Sequence, residues 1–555
     1  MQLLVAISWM SEEDATCKVC GQADNEEQLM LCDGCDGAFH SFCHHGCVCC
    51  QEKPRNNFKK TYAVPEGDWF CKFCADHIPK PKTKALSSVF AWGDNEDGQL
   101  GIGETEATFE PKPIAVNDLK GISVRSMAGG ESFSLVLSNE GDMYSVGTGT
   151  NGQLGHNDVV HEKLVHFRKI EALQQEKRPA SEGPLSQVQC GKDFALVVTK
   201  HGHVYTWGNG ELGQLGHQEN KNKKTPKKIS ALREKEIPVV LARCGADFTI
   251  MISGVEKEDD YFHRELPGVF MSMGGNANGQ LADGTGKNQW VPQYLNPKGP
   301  ATTDKYNWSS EPPQTFLLGR DIAQIALGNA HGAIVLKNSP GLWTWGFGEF
   351  GQLGHVKPPP PPGQSRFFRQ QFRIPRPYSL EAFLTTSIKQ VSCGANHTLF
   401  ITSDNKVFAM GDNEFGQLGT EDIDDNSDNE KLKILALPTE ISSLKKHEWI
   451  QCHCGESHSM VLNAKGQVFS WGKNDRGQLG LGNTSSHESK PTKITTLPVI
   501  KQLYGGYNHT FALEFAAKIA EKKAPPPARR GRGGKTKTTS NRASTKLPSA
   551  KRQKN

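Results

Sequence analysis

The chain has 555 residues, 36% apolar content and a formal net charge of +4. That length allows one large domain and one small one. No apolar run is long enough to cross a bilayer as a helix, so no membrane partner is expected.

The opening MQLLVAISWM is too short and uncharged for a secretory signal, and Ser11-Glu12-Glu13-Asp14 follows directly, with Met10 a second candidate start. Cysteine then crowds the N-terminus. Metal-ligand candidates fall in pairs separated by two residues: Cys17/Cys20, Cys32/Cys35, His40/Cys43 and Cys71/Cys74. That spacing turns both members of a pair toward one tetrahedral ion, and four pairs make two closed structural zinc sites. A disulfide framework competes with this reading; the lack of a secretory signal and a basic C-terminal segment argue for a reducing compartment. His44, His45, Cys47, Cys49 and Cys50 could compete as ligands or be loop residues.

The order of four Cys, one His and three Cys, with Trp69 two residues before Cys71, resembles a plant homeodomain finger over residues 14–78; Leu29–Cys43 carries the likeness most closely. A RING-type ligase domain normally places its His earlier. The resemblance implies interleaved zinc sites, Cys17, Cys20, His40 and Cys43 for the first ion and Cys32, Cys35, Cys71 and Cys74 for the second. It also implies binding of a histone tail, added as a strand beside Leu29-Met30-Leu31. Ala38 stands where trimethyl-lysine readers usually carry an aromatic, and Asp14, Glu26 and Glu27 suit an unmodified, basic tail. A purely structural or protein-docking finger is the alternative. Zinc would supply most of the folding free energy of so small a domain.

A short basic linker, residues 79–88, leads to a region of repeats. Gly-Gln-Leu-Gly recurs at Gly98–Gly101, Gly152–Gly155, Gly213–Gly216, Gly351–Gly354, Gly416–Gly419 and Gly477–Gly480, with Gly279–Ala282 a variant copy. An apolar or aromatic residue and Gly precede each copy, as in Trp92-Gly93 and Met410-Gly411. Farther upstream lies Gly, two residues, then His or Phe, as in Gly191–Phe194 and Gly394–His397. Short apolar runs bounded by Gly, Asn and Asp read as strands. Seven such units predict a mainly β chain with a seven-bladed propeller over 89–514. The first copy has only the last strand of a unit before it and Ile500–Glu514 only the early ones, so joining them should complete one blade. His331, His397, His458 and His509 share one repeat position and are expected to pack between blades. Cys452-His453-Cys454 is not ligand spacing on a strand, where neighbours alternate faces.

These residues resemble the regulator of chromosome condensation repeat family, whose founding members promote nucleotide exchange on the GTPase Ran and sit on nucleosomes. By that resemblance Asp247 falls where active members carry an essential acid, and Glu96 keeps an acid before the first Gly-Gln-Leu-Gly. Asn396 stands where the family's exchange-critical His would fall. The Arg-rich loop here follows the fifth copy, whereas the family's nucleosome-anchoring Arg loop follows the fourth.

The segment 355–380 combines Pro358–Pro362 with Arg366, Phe367, Phe368, Arg369, Phe372, Arg373 and Arg376, a mixture suited to nucleic acid or an acidic surface, or to a stiffened surface loop. Residues 515–555 form a basic tail without aromatics after Phe515, expected to be disordered. Arg529, Arg530, Arg532, Lys535, Lys537, Lys551 and Arg552 suit DNA phosphates or nuclear import. The combined expectation is a monomeric, nuclear, chromatin-associated protein carrying two zinc ions. Its partners would be a histone tail or nucleosome and DNA, with Ran a further candidate, and exchange would need no covalent chemistry. The alternative is a propeller scaffold or ubiquitin-ligase-associated adaptor without exchange or histone reading.

Overall fold

A computed structural model describes residues 29–31, 38–40, 88–114, 122–157, 163–233, 238–254, 270–294, 322–337, 340–355, 371–377, 386–420 and 434–515. Leu29–Leu31 pairs antiparallel with Ala38–His40, Leu29 opposite His40. The remaining expectations for the finger, its zinc ligands other than the His40 backbone, the acids Asp14, Glu26 and Glu27, and the basic tail lie outside the described residues.

The strands from Val89 to Glu514 form seven four-stranded antiparallel sheets. In sheet order the innermost strands are Val124–Gly129, Leu185–Cys190, Val239–Cys244, Ile322–Leu327, Ile388–Cys393, Trp449–Cys454 and Ile500–Gly505. Blades 2 to 7 take the first six of these, and blade 1 takes the last. Blade 1 is the closure: Ile500–Gly505 and His509–Glu514 pair onward to Val89–Gly93 and Thr108–Pro113. The expected join is therefore present, with one correction. Val89–Gly93 is the third strand of its blade, not the last, because each Gly-Gln-Leu-Gly copy turns the chain from third strand to outer strand.

Burial grades outward from the second strands. Phe133–Ser138, Phe194–Thr199, Phe248–Ser253, His331–Leu336, His397–Thr402 and His458–Asn463 are buried along their whole length. Both faces of each meet a neighbouring blade, which explains unbroken apolar and β-branched runs where a one-sided sheet would alternate. The core is accordingly a set of clusters between blades. In one, Phe133, Leu135 and Leu137 of blade 2 meet Val188, Ala195, Val197 and Trp207 of blade 3.

The repeated tetrapeptide is explained atom by atom in blade 6. Gly416 has φ +76°, and a Cβ there would lie 2.6 Å from Ser489 Cα in the next blade. Gln417 folds back so that its Oε1 accepts the Phe415 N–H at 2.9 Å. Its carbonyl accepts the Trp471 indole at 2.9 Å and the Ser459 hydroxyl at 2.8 Å, both from blade 7. Leu418 is fully buried, its N–H donating to Asn413 Oδ1. Gly419 leaves room for the Trp471 ring. The motif is thus at once a tight turn and a socket for the neighbouring blade.

Candidate functional site

Each blade sends two turns to the same end of the propeller: one between inner and second strands, one between third and outer strands. Backbone hydrogen bonds join them, as Asn209 N–H to Asp193 O at 2.9 Å and Gly275 N–H to Asp247 O at 2.8 Å. The inner turns are the Gly-x-x-His/Phe segments. Gly is needed there because the ring three residues on lies against it; a Cβ at Gly394 would sit 2.2 Å from the His397 ring. The variable pair of each segment is left at the mouth of the central channel. Turn tips are stitched to their neighbours by Glu131 N–H to Lys192 O, Lys192 N–H to Ala246 O, Ala395 N–H to Glu456 O, Glu456 N–H to Tyr507 O and Tyr507 N–H to Gly130 O, 2.7 to 3.1 Å long. Side chains at this mouth are therefore held on a rigid collar.

The collar is acidic on one side. Glu131, Asp193, Asp247 and Glu456 occupy the variable positions of blades 2, 3, 4 and 7, whereas blades 5 and 6 place Asn329, Ala330, Ala395 and Asn396 there. The outer turns add Asp94, Glu96, Asp97, Glu211, Glu349, Asp412, Glu414 and Asp475. The cations at this end include Lys192, Lys221, Lys287, Lys473 and Arg476, and Lys163 reaches in to donate to the Glu96 carbonyl at 2.6 Å, with Asp97 at 3.9 Å. Burial pushes the Asp247 carboxyl up; Lys192 opposes this and Glu131 and Glu211 add to it. Burial and then Glu131 push Asp193 up in the same way, against Lys192. Lys192 pairs with Glu131 at 3.3 Å, and the surrounding Glu131, Asp193 and Asp247 hold its ammonium charged although burial acts against it. Desolvation, then the charges of Asp247 and Glu131, push the Tyr507 hydroxyl well above its usual range. Apolar groups rim the same end: Leu212 is 38% and Trp290 41% exposed, and Lys473 Nζ lies over the Phe415 ring at 5.2 Å. An acidic, partly desolvated collar with apolar neighbours suits a basic protein surface.

Asp247 and Glu96 both lie on this end. Asp247 makes no direct ion pair among the described residues. Glu96 is exposed and tied to Arg476, so it is the less available of the two. Asn396 holds the Asp412 N–H through its backbone carbonyl, leaving a neutral side chain at the collar. Glu131, Asp193, Glu456 and Tyr507 were not singled out from the sequence, although each sits in a Gly-x-x-His/Phe segment. Cys452 and Cys454 are buried while His453 lines the channel, in keeping with strand alternation. No group of three or more metal-ligating side chains occurs among the described residues.

A closed ring of seven such sheets, bound through Gly-Gln-Leu-Gly sockets, defines a propeller of the regulator of chromosome condensation type. The chain's repeats belong to that family: the RCC1-like domain profile matches residues 265–519, and profiles of the regulator of chromosome condensation (RCC1) repeat match 87–137, 185–214 and 201–252. The chain is similar to the ultraviolet-B receptor UVR8 of Arabidopsis thaliana, 29% identical over 71% of this chain and 75% of that protein. It is similar to the secretion-regulating guanine nucleotide exchange factor of Mus musculus, 28% identical over 75% of this chain and 80% of that one. The similarity to the Homo sapiens E3 ubiquitin-protein ligase HERC2, 26% over 67% of this chain, spans only 6% of that ligase. Among solved structures, Prp20p of Saccharomyces cerevisiae, described with its binding to Gsp1p and histones, superposes with a TM-score of 0.62 at 20% identity, covering 77% of this chain and 91% of Prp20p. Human WBSCR16 gives 0.60 at 21%, covering 77% and 99%. At those identities the structures support the fold.

Proposed function

We propose that this is a nuclear, chromatin-associated protein whose propeller is a docking platform for a basic protein partner. The cysteine-rich segment would fold around two zinc ions and bind an unmodified histone tail, and the basic C-terminal segment would contact DNA. The observation that carries the platform is the one-sided acidic collar, fixed by backbone hydrogen bonds and bordered by exposed Leu212 and Trp290.

A second reading, guanine nucleotide exchange on Ran, is favoured by one feature: Asp247 projects from the collar half-buried and without a direct ion pair. A partner that paired with it would recover the desolvation that burial already imposes. Exchange itself would need only tighter binding to the nucleotide-free GTPase, which by linkage weakens nucleotide binding.

The test is release of labelled GDP from Ran, alongside nucleosome capture by the full, zinc-loaded chain. Exchange predicts stimulated release that Asp247→Ala lowers roughly tenfold or more, the scale for losing one partner of a desolvated charge contact. No stimulation by folded protein retires exchange. Failure to capture nucleosomes at physiological salt retires the chromatin reading.

A further inference from the structure

The inner strands enclose a central channel of about 820 Å³, far larger than the roughly 30 Å³ share of one water. Its lining carries three lysine, arginine or carboxylate side chains: Lys389 toward one mouth, Glu456 in the acidic collar at the other, and Arg243 on the wall between them. The two titratable side chains at the strand position equivalent to Arg243 are neutral. Burial holds His453 down to about 4 and Tyr504 up to about 12.

Arg243 has no carboxylate partner among the described residues. Its one described hydrogen bond runs from Nη1 to the Ala242 carbonyl at 2.8 Å. A guanidinium has five N–H donors in a planar fork, so most of its donor capacity is left for the channel. Desolvation acts against its charge, and the lesser, opposing influence comes from Cys244, not from a carboxylate. A cation withdrawn from water without a counter-charge is costly, and an anion at the fork offsets that cost. Gln189, at the equivalent position of the preceding blade, adds a neutral amide to the same wall.

The two mouths differ in charge. The collar repels anions. At the opposite end the second residues of three inner strands are Arg125, Lys389 and Lys501, all exposed. Arg125 donates to the Leu185 carbonyl and Lys389 to the Trp449 carbonyl, which fixes both at the rim.

We propose that the channel is a binding site for a small oxyanion of the phosphate class, entered from the Arg125–Lys389–Lys501 mouth and held by the Arg243 fork. It is separate from the acidic collar, so a collar partner and a channel anion would bind together. The fork geometry favours bidentate contact with two oxygens, which a spherical halide cannot supply.

The experiment titrates inorganic phosphate into the full chain at constant ionic strength, with chloride as the exchanged ion. Heat of binding and melting temperature are read for wild type, Arg243→Gln and Glu456→Gln. The proposal expects a saturable response in wild type, at least a tenfold loss of affinity in Arg243→Gln, and retention in Glu456→Gln. An unchanged isotherm in Arg243→Gln would assign the phosphate to basic side chains outside the channel and overturn the proposal. So would a wild-type response no greater than that to chloride. Should Arg243→Gln not fold, Arg243→Lys, which keeps the charge and loses the fork, is expected to bind several-fold more weakly, and an equal affinity would count against the site.

Discussion

Four histidines illustrate how much a single repeat position can hold. His331 Nε2 meets Thr398 Oγ1 at 3.0 Å, His397 Nε2 meets Ser459 Oγ at 3.0 Å, and His509 Nε2 meets Ser134 Oγ at 2.8 Å, each across a blade boundary. His458 lies at the same place without a partner on either ring nitrogen. Blades 2, 3 and 4 use Phe133, Phe194 and Phe248 instead. Burial drives the histidines to the neutral form, His331 and His509 to about 3 and His397 to about 4. Their folded values lie below the unfolded one, so the unfolded chain binds more protons in acid. Their neutral burial is without penalty above pH 6.5, and stability falls progressively as pH drops from there toward 3 to 4. One such group costs about 2 kcal/mol at pH 5 relative to pH 8. His331→Phe, which copies the other blades, is expected to reduce the loss of unfolding free energy between pH 7 and 5, read from denaturant titrations, by about that amount. At pH 8 it should cost about 1 kcal/mol for the lost hydrogen bond. An unaltered slope would show that His331 is not held neutral.

At the level of the turn, the variant copy Gly279–Ala282 is informative. Ala282 has φ +59°, in the left-handed region that the other six copies fill with Gly. Ala282→Gly is expected to raise stability by up to about 1 kcal/mol, the strain relieved being partly offset by a freer unfolded chain. Gly419→Ala does the reverse: at φ +69° a Cβ would lie 2.7 Å from Trp471 Nε1. It should lower the melting temperature and perturb the Trp471 emission, the indole being displaced from Gln417. The turns were legible in the sequence because their requirements are local and recur seven times. Their charge was not. Glu131, Asp193, Asp247 and Glu456 stand at variable positions in separate repeats, and only closing the ring brings them to one side of a mouth. Arg243 likewise reads as an ordinary strand residue until its neighbours across the channel are known to be neutral.

The whole ring depends on a seam. Blade 1 takes its inner pair from residues 500–514 and its outer pair from 89–113. Deleting those last two strands removes both an inner wall and the partner of Val89–Gly93. A chain ending at residue 498 is expected to lose its single cooperative melt, while one ending at residue 515 keeps it; calorimetry of the two distinguishes a seam that holds the ring from one that merely decorates it. The sequence showed that the two ends share a blade, because each carried an incomplete repeat. It assigned the wrong strand to the first half because the tetrapeptide marks the turn before the outer strand and not the unit's end.

The seam also sets a clock during synthesis. Val89–Gly93 leaves the ribosome ahead of the rest of the ring, and its inner partner His509–Glu514 is translated nearly the whole ring later, a wait of roughly 20 to 80 s at common elongation rates. Throughout that interval an apolar strand has one open edge. Its other neighbour, Thr108–Pro113, is the strand that stays outermost, and it carries Pro111, Pro113, Glu110 and Lys112, residues that discourage pairing with a stranger. The guarded edge is the one that has no further strand beside it among the described residues. The unguarded one is exposed only while the nascent chain is unfinished, so in cells this protein should lean on chaperones most heavily before its last strand emerges.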